Sequence, residues 1–145
     1  MQALVQRVSS AEISIDDLLH AKINRGLLAF ICFELGDSVA AIDKFISKIS
    51  SFCFFDDDRS ILSSNLKEIE GALMIVSQFT LAAATKKGNK ASFHKAANTN
   101  DARALYNELI VRLDGSSINY QSGRFGADMN VSLVNNGPVT FSFNF

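Results

Sequence analysis

At 145 residues the chain has the length of one ordinary domain, enough to bury about 70% of the surface that its unfolded form exposes. Hydrophobic residues make up 48% of it, with twelve Phe and no Trp, which excludes an intrinsically disordered protein. The formal net charge of −1 excludes a surface coated in positive charge for non-specific nucleic-acid binding, but not a local basic patch.

Cys32 and Cys53 lie in predominantly apolar segments without metal-type spacing, which points to buried free thiols in a reducing compartment. The opening run Met1-Gln2-Ala3-Leu4-Val5-Gln6-Arg7 alternates in polarity instead of forming an apolar signal core. No stretch approaches the roughly 18 apolar residues of a membrane span. A soluble, cytoplasmic protein with no membrane partner is expected.

Alternation over residues 2 to 8, and again at Ile13-Ser14-Ile15, predicts two strands near the start, with a third around Leu19 to Ile23. Gly26 then opens Leu27-Leu28-Ala29-Phe30-Ile31-Cys32-Phe33, a continuous apolar run that reads as a central strand buried on both faces. Beyond Gly36 the period changes. Val39, Ile42, Phe45, Ile46 and Ile49 recur at helical steps, with Asp37 or Ser38 placed to cap the first turn. Phe52 to Phe55 reads as a short strand, residues 56 to 70 as a loop, and Ala72 to Val76 as another buried strand entered at Gly71. Ala102, Leu105, Tyr106, Leu109 and Leu113 form a second helical stripe, capped at Asn98 or Thr99 and stopping near Gly115. Ile118 to Tyr120, Met129 to Val134 and Val139 to Phe143 supply the closing strands. The sum is one α+β domain over residues 1–145, with two main helices and a curved, barrel-like, mostly antiparallel sheet.

Familiar catalytic signatures, among them GxSxG, HExxH, the Walker loop and GxGxxG, do not occur. The densest polar signal follows strand 72–76, in Ser77-Gln78-Phe79-Thr80-Leu81. Hydroxyls, an amide and backbone N–H groups at the end of a buried strand suit an oxyanion-type site for an ester, or they satisfy backbone groups where the strand turns. His20 reads as structural, and His94 as either a base or a surface residue. Lys86, Lys87, Lys90, Lys95 and Arg103 form a basic segment, either a phosphate-contacting patch or a solvated face. Pro138, the only proline, follows Gly137 ahead of the last strand, so Gly137-Pro138 is either an ordinary turn feeding an edge strand or a recognition element made of backbone.

Four blocks, in this order, resemble the D-aminoacyl-tRNA deacylase family: Gln6-Arg7-Val8-Ser9; Val76-Ser77-Gln78-Phe79-Thr80-Leu81; Gly123-Arg124-Phe125-Gly126-Ala127-Asp128-Met129; and Asn136-Gly137-Pro138-Val139-Thr140. Lys87 to Phe93 and Ala102 to Tyr106 look like that family's basic loop and following helix, so the resemblance spans essentially the whole chain.

The resemblance implies a homodimeric hydrolase, without cofactor or metal, that cleaves the ester joining a D-amino acid to the terminal ribose of tRNA and also removes glycine from mischarged tRNA. Gly137 and Pro138 would form a cis Gly-Pro gate that reaches into the partner subunit's pocket and rejects L-residues, with Arg7 buttressing it. Ser77, Gln78, Phe79 and Thr80 would line the catalytic pocket and receive the terminal adenosine. The route to hydrolysis is then either Thr80 as nucleophile or, the route favoured here, the tRNA's own 2′-hydroxyl helping to activate water. Lys86, Lys87 and Lys90 would contact the acceptor end, the expected nucleic-acid partner being tRNA and not DNA. The chain departs from the family pattern at Lys90-Ala91, where Arg-Pro is usual, at Asn136, where Asp is usual, and near Cys53, where an Arg is usual. Two alternatives come from other classes: a small-ester hydrolase using Thr80 with His94, and a non-enzymatic dimeric module that binds RNA or another ligand.

Overall fold

A computed structural model describes residues 1–58, 60–86 and 88–145. The first strand, β1 (Gln2–Ile15), joins the two predicted early strands into one of 14 residues. Ser9 and Ser10, which lie between the two predicted strands, mark a change of partner within one strand. Residues 2–8 pair antiparallel with β3 (Gly26–Cys32), and residues 11–15 pair antiparallel with β2 (Leu18–Ile23). Along its other edge β1 pairs with the last strand, β6 (Asn130–Asn144), with register shifts between Gln6 and Val8 and between Val8 and Ser10. A one-residue slip turns side chains to the opposite face of a sheet. Ala3 and Val5 accordingly belong to one core cluster, whereas Val8, Ala11, Ile13 and Ile15 belong to another.

The apolar run of β3 is buried on both faces, as its composition predicts: Leu27, Ala29 and Ile31 face one cluster and Leu28 the other. Two helices cover the first face. Helix α1 (Val39–Ser51) buries Ile42, Phe45 and Ile49, and helix α2 (Thr99–Asp114) buries Tyr106, Leu109 and Leu113. Each helix returns the chain to a neighbouring parallel strand. Helix α1 leads to β4 (Ala72–Ser77), parallel to β3, and α2 leads to β5 (Tyr120–Ser122), parallel to β4. The order β2-β1-β3-β4-β5, with β6 on the free edge of β1, combines three antiparallel pairings with two parallel ones. The sheet curves into a nearly closed barrel-like form, in which β2 also approaches β4 and β5. No helix among the described residues is long and apolar enough to cross a membrane.

Four local expectations change. Ser38 is the N-cap of α1 but makes no side-chain capping bond, and one oxygen of Asp37 accepts from the Glu34 N–H at 2.6 Å. Asn98 caps α2 as expected, accepting from the N–H groups of Asn100 at 3.1 Å and Asp101 at 3.0 Å. Phe52 to Phe55 forms no strand beyond a bridge between Phe55 and Ser64. Its apolar character serves an aromatic cluster instead, with Phe52 and Phe54 packed 4.8 Å apart and Phe52 edge-on to Phe141 and Phe143 at 5.5 and 5.7 Å. The first closing strand, expected at Ile118 to Tyr120, lies slightly later, at Tyr120–Ser122. Finally, the two last predicted strands are one. Gly137-Pro138 lies within β6, where an edge position tolerates a residue that cannot donate to the ladder.

Gly26 offers a test of this packing. A Cβ there would lie 1.9 Å from the Ala72 carbonyl oxygen on the adjacent strand. We expect Gly26→Ala to destabilise the protein by about 3 kcal/mol, read as a fall of roughly 10 °C in melting temperature. A melting temperature equal to that of the wild type would contradict the β3–β4 contact.

Candidate active site

A cavity of about 680 Å³ opens beyond the carboxyl ends of the parallel strands β3 and β4, the usual place for a ligand in a sheet of parallel strands. Ser77 ends β4 and is half-buried. The chain then turns at Gln78, whose N–H donates to the Ile31 carbonyl at 2.7 Å and ties the turn to β3. Phe79–Ala82 form a short 3-10 turn. Ser77, Gln78 and Phe79 all line the cavity. Thr80 is exposed, and its hydroxyl accepts a hydrogen bond from the Gln78 side-chain amide. Phe79 is 59% exposed, an unusual state for a ring of this size, and meets Phe93 edge-on with ring centroids 5.0 Å apart.

Gly123 to Met129 supply the facing wall. The Gly123 N–H donates to the Ile75 carbonyl at 2.8 Å, and the buried Tyr106 hydroxyl donates to the Gly123 carbonyl at 2.9 Å. A Cβ on Gly123 would fall 2.5 Å from the Met129 sulfur. Phe125 lies between Tyr106, at 5.6 Å, and the Arg103 guanidinium, 4.9 Å from the ring centroid. Cys32 forms part of the floor, its Sγ 3.5 Å from the Phe79 carbonyl oxygen, and burial pushes its thiol pKa up, so the neutral form is favoured. Cys32 and the half-buried Cys53 are both free thiols.

Lys86 and Lys90 are exposed on the segment that carries Phe93, in a turn bridged between Ala84 and Ser92; Lys87 lies outside the described residues. His94 Nδ1 is hydrogen-bonded to Ser92 Oγ at 2.9 Å. The partners of Thr80 and His94 are thus Gln78 and Ser92. His20 lies exposed on β2. No group of three metal-ligating side chains is gathered among the described residues.

Gly137 and Pro138 stand apart from the residues that line this cavity. Both are exposed, and the bond between them is cis. Arg7, only 6% exposed, holds their segment from behind. Its Nε donates to the Asn136 carbonyl at 3.0 Å and its Nη2 to the Gly137 carbonyl at 3.5 Å. The Asn135 amide donates to the carbonyls of Arg7, at 2.9 Å, and Val139, at 3.3 Å, which links β1 to β6 across the bulge.

The family model described as D-Tyr-tRNA(Tyr) deacylase matches residues 4–144. The chain belongs to that family. D-aminoacyl-tRNA deacylases from Shewanella denitrificans and Pseudoalteromonas translucida are 46% and 42% identical to it, each alignment covering 98% of both chains. A solved structure of the c-Myc DNA unwinding element binding protein is 31% identical and superposes with a TM-score of 0.93 over 100% of this chain and 99% of its own. At 18% identity, a "probable eukaryotic D-amino acid tRNA deacylase" shares the fold with a TM-score of 0.83, over 98% of this chain and 97% of its own. The expectation of an ester hydrolase of this family is met.

Of the residues singled out in the sequence, Ser77, Gln78 and Phe79 line this cavity while Thr80 is not among its lining residues, and Arg7, Gly137 and Pro138 gather at a second locus. Cys32, Phe93, Phe125, Asp128 and Met129 also line the cavity. The sequence signal for the last three was the block Gly123 to Met129, and for Phe93 the block Lys87 to Phe93. Tyr106 tests how that wall is held. Burial raises its pKa to about 12 from 10, so its contribution to stability is whole below pH 10 and is lost as pH rises from 10 through 12. We expect Tyr106→Phe to cost about 1 to 2 kcal/mol at pH 7 through the unpaired Gly123 carbonyl. Denaturation midpoints followed from pH 9 to 11 should fall more steeply in the wild type than in the variant.

Proposed function

We propose that this protein hydrolyses the ester between a D-amino acid and the terminal ribose of tRNA, and also releases glycine from mischarged tRNA. It acts in the cytoplasm as a homodimer of single-domain chains of residues 1–145, in which Gly137-Pro138 of one chain completes the cavity of the other. One observation carries this reading. The Gly-Pro segment is exposed, is held by a buried arginine, and does not line its own chain's cavity. A backbone element braced so firmly and aimed at solvent suits a target supplied from outside the chain.

In this assignment Ser77, Gln78, Phe79 and Thr80 orient the ester and stabilise its developing oxyanion, while the terminal adenosine sits among the cavity's aromatic rings. Placing reactive groups and aiming fixed dipoles are sufficient sources of rate acceleration. The tRNA 2′-hydroxyl helps activate the attacking water. Thr80 is engaged with Gln78 and His94 with Ser92, an arrangement that gives the Thr80–His94 hydrolase no support. Gly137 and Pro138 present carbonyls to the substrate's amino group and leave no space for an L-side chain. Lys86, Lys87 and Lys90 steer the acceptor end through phosphate contacts, which set register without reading sequence. The Lys90-Ala91 departure keeps the charge but not the planar guanidinium fork.

Gly137→Ala separates recognition from folding, because within its own chain the added Cβ meets only the Asn135 side-chain oxygen, at 3.6 Å. The variant should melt with the wild type yet lose roughly a hundredfold in hydrolysis of a D-aminoacyl-tRNA. The wild type should hydrolyse the D-ester and spare its L-enantiomer; equal rates on the two would overturn the selector. Thr80→Ala should keep deacylation within about tenfold, whereas a threonine nucleophile would lose it almost wholly.

A further inference from the structure

The Arg7 guanidinium spends one edge of its fork on the carbonyls of Asn136 and Gly137. Its other edge meets a different part of the chain. Nη1 donates to the Phe54 carbonyl at 3.0 Å and to Asp56 Oδ2 at 3.2 Å. Phe54 offers only a neutral carbonyl, so Asp56 brings the negative charge to this guanidinium. A cation this deeply buried is costly unless it is both paired and hydrogen-bonded.

Asp56 is itself fixed. Its Oδ1 accepts from the Leu62 N–H at 2.8 Å, at a residue held in left-handed backbone with φ 52°. The next carboxylate, Asp57, accepts from the Ser60 N–H at 3.2 Å and the Ser64 hydroxyl at 2.9 Å. Phe55 and Ser64 exchange backbone hydrogen bonds of 3.0 and 2.9 Å at the base. The acidic run Asp56-Asp57-Asp58 has the sequence of a solvated face, yet its first two members build a loop whose first carboxylate ends on Arg7.

We propose that Asp56 is a positioning residue for substrate selection: it holds the Arg7 fork in the orientation that fixes the Gly137-Pro138 carbonyls. The inference rests on the selector reading above. A guanidinium without its counter-charge turns toward water or toward other acceptors, and the bonds it gives up are those to Asn136 and Gly137. The effect on hydrolysis is therefore indirect and falls on discrimination more than on rate.

The test compares Asp56→Asn, Asp56→Glu and Arg7→Lys with the wild type, using a D-aminoacyl-tRNA and its L-enantiomer together with melting temperatures. Asn keeps an acceptor for the Leu62 N–H and removes only the charge. We expect Asp56→Asn to lower the ratio of D- to L-hydrolysis by roughly three- to tenfold in protein that is still folded at the assay temperature, together with a fall in melting temperature, because the charge removed is the partner of a buried guanidinium. Asp56→Glu, which restores the charge, should recover part of the ratio. Arg7→Lys should lower the ratio too, and adding Asp56→Asn to it should lower it little further, because both act through one group. An unchanged ratio in Asp56→Asn, or losses that multiply in the double variant, would overturn the inference. Should Arg7→Lys and Gly137→Ala also leave the ratio unmoved, the selector reading itself fails; movement in those two alone would sink only the role of Asp56.

Discussion

Arg7 projects from the middle of β1 into a space that two distant parts of the chain must close. Asn136 and Gly137 approach from β6, while Phe54 and Asp56 approach from the segment after α1. None of these groups can take its position alone. The β6 carbonyls lie at a bulge, where the regular ladder supplies no partner, and an unpaired buried guanidinium would cost roughly 3 to 5 kcal/mol. One side chain therefore couples the sheet edge, the loop that begins at Asp56 and the Gly-Pro segment, and the bulge exists at the place where Arg7 is available to satisfy it.

The same bulge accounts for the two-sided sheet. By the slip after Val8, β1 lends Ala3 and Val5 to the helix-covered face and Ala11, Ile13 and Ile15 to the other. Parallel β3 and β4 are buried on both sides between these clusters, which leaves their carboxyl ends as the place where polar groups can emerge together. Ser77 and Gln78 appear there at the end of an apolar strand, and Gly123 docks against Ile75 of that strand and brings Phe125 to Met129 across from them. Cavity and brace are thus separate products of one sheet.

Much of this was legible in local pattern. The stripes of α1 and α2, the Asn98 cap, the two buried strands and the polar turn at Ser77 are short-range features, set by periodicity and capping chemistry. The failures share a cause. Ser9-Ser10 and Asn135 to Pro138 have the composition of turns, and the strands continue through them because of distant partners: Asn135 bridges Arg7 and Val139, and β2 takes over where β3 ends. Phe52 to Phe55 has strand composition but pairs its rings with Phe141 and Phe143. The roles of Cys32 and Asp56 could not be read locally either, since a thiol in an apolar run and an aspartate in an acidic run acquire meaning only from what the fold sets against them.

Selection by backbone fits the chemistry proposed for this protein. Every D-amino acid offers the same amino group and the same hydrogen at the position where its L-enantiomer carries a side chain, so carbonyls of fixed direction can judge handedness without judging identity. A side-chain selector would add a preference for particular residues. Such a device must be stiff, because its discrimination rests on the absence of space, and stiffness here comes from a buried charge, its counter-charge and an amide bridging the bulge. The segment is also exposed and is not among the residues that line the cavity of its own chain. In the proposed reading, a single chain carries both halves of the site but cannot bring them together, so assembly with a second copy is a condition for selective hydrolysis.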